Sequence, residues 1–200
     1  MNTSGTILGD DGLRRCSWAG STPDYLTYHD EEWGVPVHGE SGLFERLTLE
    51  GFQSGLSWLT VLRKRAAFRA AFAGFDAELV ARFDDADRAR LMDDARIVRN
   101  TRKIDAAIVN ARAVLALRDD GGLDDFLWSH APEHHRTPRM LADLPATSPE
   151  SVALAKGLKK RGFVFVGPTT MYAAMQACGL VDDHVAGCHR SGGSGGVRSG

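Results

Sequence analysis

Cysteine is scarce in this 200-residue chain: Cys16, Cys178 and Cys188 are all there is. A secreted disulfide framework favours an even number, so three points to reduced thiols and a cytoplasmic location. No apolar run is long enough to span a bilayer, and no membrane partner is expected. The N-terminal Met1-Asn2-Thr3-Ser4-Gly5 lacks a basic stretch followed by an apolar one, so no signal peptide is expected. Excess positive charge is missing too. The formal net charge is -2, so a nucleic-acid partner would have to be drawn by a local basic patch. No internal repeat is present.

What remains is an ordinary globular balance, 43% hydrophobic and 25% charged, in a chain long enough to bury a core without disulfides. The expected organisation is a disordered N-terminus over 1–12, one domain over 13–190, and a flexible Gly/Ser tail over 191–200. Helical signals dominate between the ends. Ser41 reads as an N-cap before Leu43, Phe44 and Leu47. A helix is expected from Ser57 to Phe72, and Asp76 caps a short one through Leu79, Val80 and Phe83. Ile104, Ile108, Ala111 and Leu115 recur at helical spacing. Ser148-Pro149 and Gly167-Pro168 each open a further helix. The run Phe163-Val164-Phe165-Val166 alone reads as a strand, too short and solitary to define a sheet. The fold class predicted is all-α.

Two constellations carry chemistry. Cys16 and His29 have twelve residues between them; His184 and Cys188 have three, a metal-ligand spacing. Two sulfurs and two imidazoles make a closed tetrahedral zinc set, structural rather than catalytic. By spacing alone, the plainer reading of unrelated buried cysteines and surface histidines stands slightly ahead. His189 could compete as a ligand, and Cys178 reads as a small core residue. The second constellation is aromatic: Trp18, Tyr25, Tyr28, Trp33 and Trp58 near Glu50, which sits among Leu47, Leu49 and Phe52. A carboxylate beside ring faces suits a flat, partly cationic ligand. By composition alone, an aromatic core with Glu50 at its edge fits better.

Tyr28-His29-Asp30-Glu31-Glu32-Trp33-Gly34-Val35-Pro36 and Leu49-Glu50-Gly51 through Gly55-Leu56-Ser57-Trp58 change that weighing. In these blocks, and from about Cys16 to Cys188, the chain resembles the 3-methyladenine DNA glycosylase I family. The resemblance implies a helix-hairpin-helix glycosylase fold, with zinc on Cys16, His29, His184 and Cys188 tying the N- and C-terminal segments together. It implies an enzyme of base excision repair that acts as a monomer on double-stranded alkylated DNA. Hydrolysis would release 3-methyladenine and leave an abasic site, with no strand cleavage. Glu50 would recognise the base and act in the chemistry. Tyr28, Trp33 and Trp58 would form the pocket, with Trp18 near the metal. Gln53 and Leu56 would fill the gap left by the flipped base, with Gly51 and Gly55 allowing close backbone approach. Residues 91–100 would form the hairpin, with Arg99, Arg102 and Lys103 as positive charge facing phosphate. Arg96 departs from the pattern, standing where glycine is expected. Lys159-Lys160-Arg161-Gly162-Phe163 also matches, and suits a helix end and a DNA contact equally. His130, His134 and His135 read as a surface loop. The rival reading is a non-catalytic, zinc-stapled binder of damaged DNA.

Overall fold

The structure is a computed structural model that describes residues 5–192. Most of the expected Gly/Ser tail, from 193 onward, lies outside the described residues. The chain divides into two compact units. One comprises Met1–Pro36, Ala131–Ala146 and Met175–Gly200, the other Val37–His130 and Thr147–Ala174.

The first unit adds one small strand pair to the mostly helical fold expected. It opens with an antiparallel hairpin, β1 (Thr6–Leu8) and β2 (Arg14–Cys16), in the register Thr6↔Cys16. Residues 6–12 therefore carry a strand and its turn rather than a disordered end. Arg15 explains why so short a hairpin holds. Its guanidinium, 5% exposed, grips Asp11 in the turn at 2.6 Å and Asp30 at 2.8 Å. Charge-assisted, forked bonds of this kind are stronger than neutral ones. A 3-10 turn over Ser17–Ser21 leads to α1 (Pro23–Glu31), where Thr22 accepts the Tyr25 N–H and proline fills the first position. The helix ends as Trp33 N–H turns back to Tyr28 O at 2.9 Å. Gly34 follows with φ +74, and a Cβ there would lie 2.9 Å from His184 Cε1. Only glycine tolerates both the angle and the approach. In the 131–146 segment, His135 ties to the buried Asp183 at 2.9 Å.

The second unit is built on phenylalanine. Phe44, Phe52, Phe68, Phe72 and Phe75 are each at most 1% exposed, with Phe52 edge-on to Phe68 at 4.8 Å. Each such ring contributes roughly 3 kcal/mol by leaving water. They come from α2 (Glu40–Gln53), α4 (Arg65–Ala71) and the turn that follows it. Ser41 is not the cap of α2. Gly39 is, with its N–H held by Asp124 Oδ2 at 2.6 Å, a contact 85 residues away in sequence. The helix expected over 57–72 breaks into α3 (Trp58–Leu62) and α4, because Lys64 N–H closes a tight bond to Val61 O. Asp76 caps α5 (Ala77–Ala81) as expected. Then come α6 (Asp85–Asp93) and α7 (Thr101–Leu117), whose Ile104, Ile108, Ala111 and Val114 are buried; Leu115 sits at the margin. After α8 (Gly122–Trp128), Ser148 caps α9 (Pro149–Lys160), and Pro168 opens α10 (Pro168–Ala177).

Phe163–Val166 is not a strand. Its only ladder-like bonds run to a side chain: Asn110 accepts the Val164 N–H at 2.8 Å and donates to Val164 O at 3.1 Å. Among the described residues, no helix is long and apolar enough to cross a membrane.

Candidate functional site

In the first unit, β2 delivers Cys16, the last turn of α1 delivers His29, and the segment after α10 delivers His184 and Cys188. The ligand atoms of Cys16, His29 and Cys188 lie within 4.8 Å of one another. Cys188 Sγ is 3.4 Å from His29 Nε2, and the two rings of His29 and His184 stand 4.8 Å apart and perpendicular. Each imidazole is held from behind by a carboxylate: His29 Nδ1 by Asp30 at 2.8 Å, His184 Nδ1 by Asp182 at 2.7 Å. That leaves both Nε2 atoms for the cluster. His184 Nε2 is buried with no hydrogen-bond partner. An orphaned buried nitrogen is costly, and metal-binding histidines have this carboxylate backing.

The sulfurs are prepared in the same way. Cys16 Sγ accepts the Val185 N–H and Cys188 Sγ the Arg190 N–H, both at 3.5 Å. A hydrogen bond from Cys16, then one from His29, holds the Cys188 thiol well below its ordinary value; burial opposes them. Cys16 keeps the shared proton, and its bond to Cys188 together with burial pushes it up. Thiolate is the metal-binding form. His189 is not inside this cluster. It approaches Asp30 from the exposed side at 3.0 Å, making a second grouping of His29, Asp30 and His189. Burial pushes the Asp30 carboxyl up, but hydrogen bonds from Arg15, then His29 and His189, keep it well below the usual range.

The predicted pocket aromatics of this unit belong to the same cluster. Trp33, 8% exposed, is edge-on to His184 at 4.7 Å and to Trp18 at 5.1 Å. Trp18 in turn meets His29 at 5.2 Å and Tyr25 at 5.6 Å. Tyr28 is 3% exposed. In this unit the rings pack around the Cys/His cluster, while Glu50 and Trp58 of the same predicted constellation lie in the second unit. Asp30 and Asp182, the carboxylates behind the two histidines, were missed. The signal was present, since Asp30 follows His29 directly and Asp182 precedes His184 by two.

The second unit holds the rest. Glu50, in the last turn of α2, is 5% exposed, and burial pushes its carboxyl up to about 8 against the pull of Arg46. Trp58, half-buried, begins α3 behind the Ser57 cap. Between them runs a braced loop. Gln53 Nε2 donates to Leu56 O at 3.2 Å, and Gly55 takes φ +79, which demands glycine. Lys103 Nζ donates to Phe52 O at 2.8 Å and Ser54 O at 2.6 Å. Leu56 stands 39% exposed on this loop. Lys103 departs from its expected role: its ammonium is committed to carbonyls, and burial lowers its pKa. Arg99 and Arg102 are exposed.

The turn between α6 and α7 accommodates Arg96 without a positive φ. Asp94 accepts the Arg96 N–H and binds its guanidinium, all at 2.9 Å. Lys64 closes the turn from the side, donating to Ala95 O and Arg96 O. Asn100 caps α7 by accepting the Lys103 N–H.

Comparison with known proteins covers nearly this whole range. The family model described as methyladenine glycosylase matches residues 18–191. DNA-3-methyladenine glycosylase 1 of Escherichia coli K12 is 49% identical over 88% of this chain and 96% of its own length. A crystal structure of 3-methyladenine DNA glycosylase I superposes with a TM-score of 0.83 at 48% identity, covering 88% of this chain and 98% of that one. A tyrosine-to-phenylalanine variant of 3-methyladenine DNA glycosylase I, solved in complex with 3-methyladenine, gives 0.82 at 34% identity, covering 88% and 96%.

Proposed function

The chain belongs to the methyladenine glycosylase family, and from that premise we propose that it hydrolyses the base–sugar bond of 3-methyladenine in alkylated DNA. Water attacks the anomeric carbon, the base leaves, and an abasic site remains. The observation that carries the reading is Glu50, a buried carboxyl raised to about 8. The methylated base is cationic while attached to deoxyribose, so it already leaves well. An arriving cation favours the charged form of Glu50, whose proton departs to solvent. The carboxylate then accepts from the amino edge of the base. Neutral adenine lacks that charge and cannot drive the ionisation, so discrimination and catalysis share one cause. The ring face of Trp58, in the same unit as Glu50, favours the same cationic ligand.

Double-stranded DNA as substrate is supported by three features of the second unit. Leu56 is an exposed apolar side chain on a braced loop, suited to fill the gap left by a flipped base. The α6–turn–α7 pair fits a helix-hairpin-helix, with the N-terminus of the 17-residue α7 aimed at phosphate. Arg99 and Arg102 flank that end with positive charge.

Zinc would be held by Cys16, His29 and Cys188, whose ligand atoms lie within 4.8 Å of one another, with His184 as the fourth donor. The orphaned His184 Nε2, the carboxylate behind each histidine and the low Cys188 thiol support it. A closed set of four ligands leaves no place for water, so the ion supplies folding energy and no chemistry.

The decisive assay is base release from methylated duplex DNA, with free bases separated chromatographically. Release of 3-methyladenine by the purified protein is expected. Binding of lesion DNA without release would replace the enzyme by a damage-binding module.

A further inference from the structure

We propose that Phe165 is a second DNA-contacting residue, whose ring stacks on a nucleobase of the duplex beside the vacated position. This rests on the glycosylase reading above.

Three described non-glycine residues have positive φ: Ala73, Phe75 and Phe165. Such angles cost free energy for any residue with a Cβ, and they persist where the surroundings over-determine them. For Phe75 the return is plain, since its ring is fully buried against Phe44 and Phe72. Phe165, at φ +57, has no such compensation: it is 43% exposed, and its neighbour Val164 is 40% exposed. An apolar pair held out in water at a strained angle calls for an occupant.

The pair is also held rigidly. Phe163 and Val166 on either side are each 2% exposed and act as anchors. Asn110, itself 5% exposed, fixes both polar groups of the Val164 backbone. A wedge that must enter a base stack needs this stiffness, because a mobile one loses entropy on insertion.

Placement selects the occupant. A Cβ at Gly51 would lie 3.8 Å from Phe165 Cβ, so the loop rests on the last turns of α2, which run directly into the Leu56 loop. Phe165 lines a crevice with Thr48, Phe52, Lys103 and Asn110, and Lys103 is the side chain that braces the Leu56 loop. Thr48 Oγ1 is buried there without a hydrogen-bond partner. The exposed Lys159 and Lys160 precede the loop. An exposed ring interleaved with basic residues is a pattern that stacks bases and holds phosphate.

The test compares wild type with Phe165→Ala and Phe165→Gly on a duplex containing a tetrahydrofuran abasic analogue, read by fluorescence anisotropy. Glycine also relieves the strained angle. Both variants should bind this duplex about tenfold more weakly. The salt dependence of binding should keep its slope, because no phosphate contact is lost. Phe165→Gly should melt no lower than wild type, and both variants should bind free 3-methyladenine unchanged. A 2-aminopurine beside the abasic position should be quenched by wild type and less so by the variants. Duplex affinity within twofold of wild type in both variants would overturn the proposal, and so would a lower melting temperature in Phe165→Gly. If wild type itself binds neither free base nor abasic duplex, the glycosylase reading falls, and that outcome is told apart by the wild-type arm alone.

Discussion

Replacing Glu50 by glutamine should make the protein more stable, and increasingly so as pH rises. The native carboxyl titrates at about 8 against an ordinary value of 4.5. A raised carboxyl pKa means that the folded state prefers the protonated form. Its stability is therefore intact below pH 4.5 and is lost as pH climbs toward 8. Between these limits the unfolded chain is ionised and the folded one is not. Each pH unit then removes about 1.4 kcal/mol. The loss is roughly 3 kcal/mol by pH 7 and about 5 kcal/mol above pH 8, where both states are ionised and the curve flattens. Glutamine has the same shape and no proton to lose, so its stability lacks this slope. Urea unfolding of both proteins from pH 4 to 9, followed by tryptophan fluorescence, isolates the difference, because all other groups titrate alike. The difference should grow from near zero at pH 4 to several kcal/mol at pH 9. Parallel stability curves would refute both the burial argument and the coupling of ionisation to base binding. Activity should move the other way: Glu50→Gln should lose most of its base release.

His184→Ala should lose stoichiometric zinc, measured by atomic absorption, and Asp182→Asn should weaken zinc binding 10- to 100-fold by freeing the imbalanced ring behind the ligand; full retention in His184→Ala would remove it from the set. Leu56→Ala should slow release from duplex DNA while leaving the melting temperature unchanged, since the side chain is 39% exposed; a large drop in melting temperature would assign it a packing role instead. Lys103→Met should cost about 1–3 kcal/mol by orphaning the Phe52 and Ser54 carbonyls, and should depress duplex excision more than binding of free 3-methyladenine. Equal effects on the two substrates would make Lys103 a general scaffold rather than a brace for the loop.

What was legible in the sequence was local. Asp76 and Ser148 cap their helices because a side-chain oxygen needs only the amides two or three residues on. The start of α2 was illegible because a residue of α8 decides it, through Asp124. Phe163–Val166 has strand composition, but Asn110 captures the backbone groups that a partner strand would have used. The hairpin near the N-terminus was hidden because three-residue strands leave no periodicity; a buried arginine holds it instead. In the site, residue types and spacing left Glu50 and the set Cys16, His29, His184 and Cys188 behind plainer readings, and it was the resemblance to the glycosylase family that singled them out. The ionisation of Glu50 and the carboxylates behind the histidines depend on burial and on contacts that spacing does not encode. Lys103 shows the same limit, because a basic residue at a helix start looks like a phosphate contact until its carbonyl partners are seen.

The first unit is assembled from three separated stretches of chain, and this sets an order of events at the ribosome. Cys16 and His29 emerge early, whereas Cys188 is made 172 residues after Cys16 (188 minus 16). At elongation rates of about 5–20 residues per second, that interval lasts roughly 10 to 30 s. During it the hairpin and α1 have no completed partner, while most of the second unit has already been translated. The nascent chain thus carries an unfinished thiol and imidazole pair through most of its synthesis. Closure of that unit waits on the synthesis of Cys188, and ribosomes that stop before it release a chain whose aromatic cluster is left open to solvent and to aggregation.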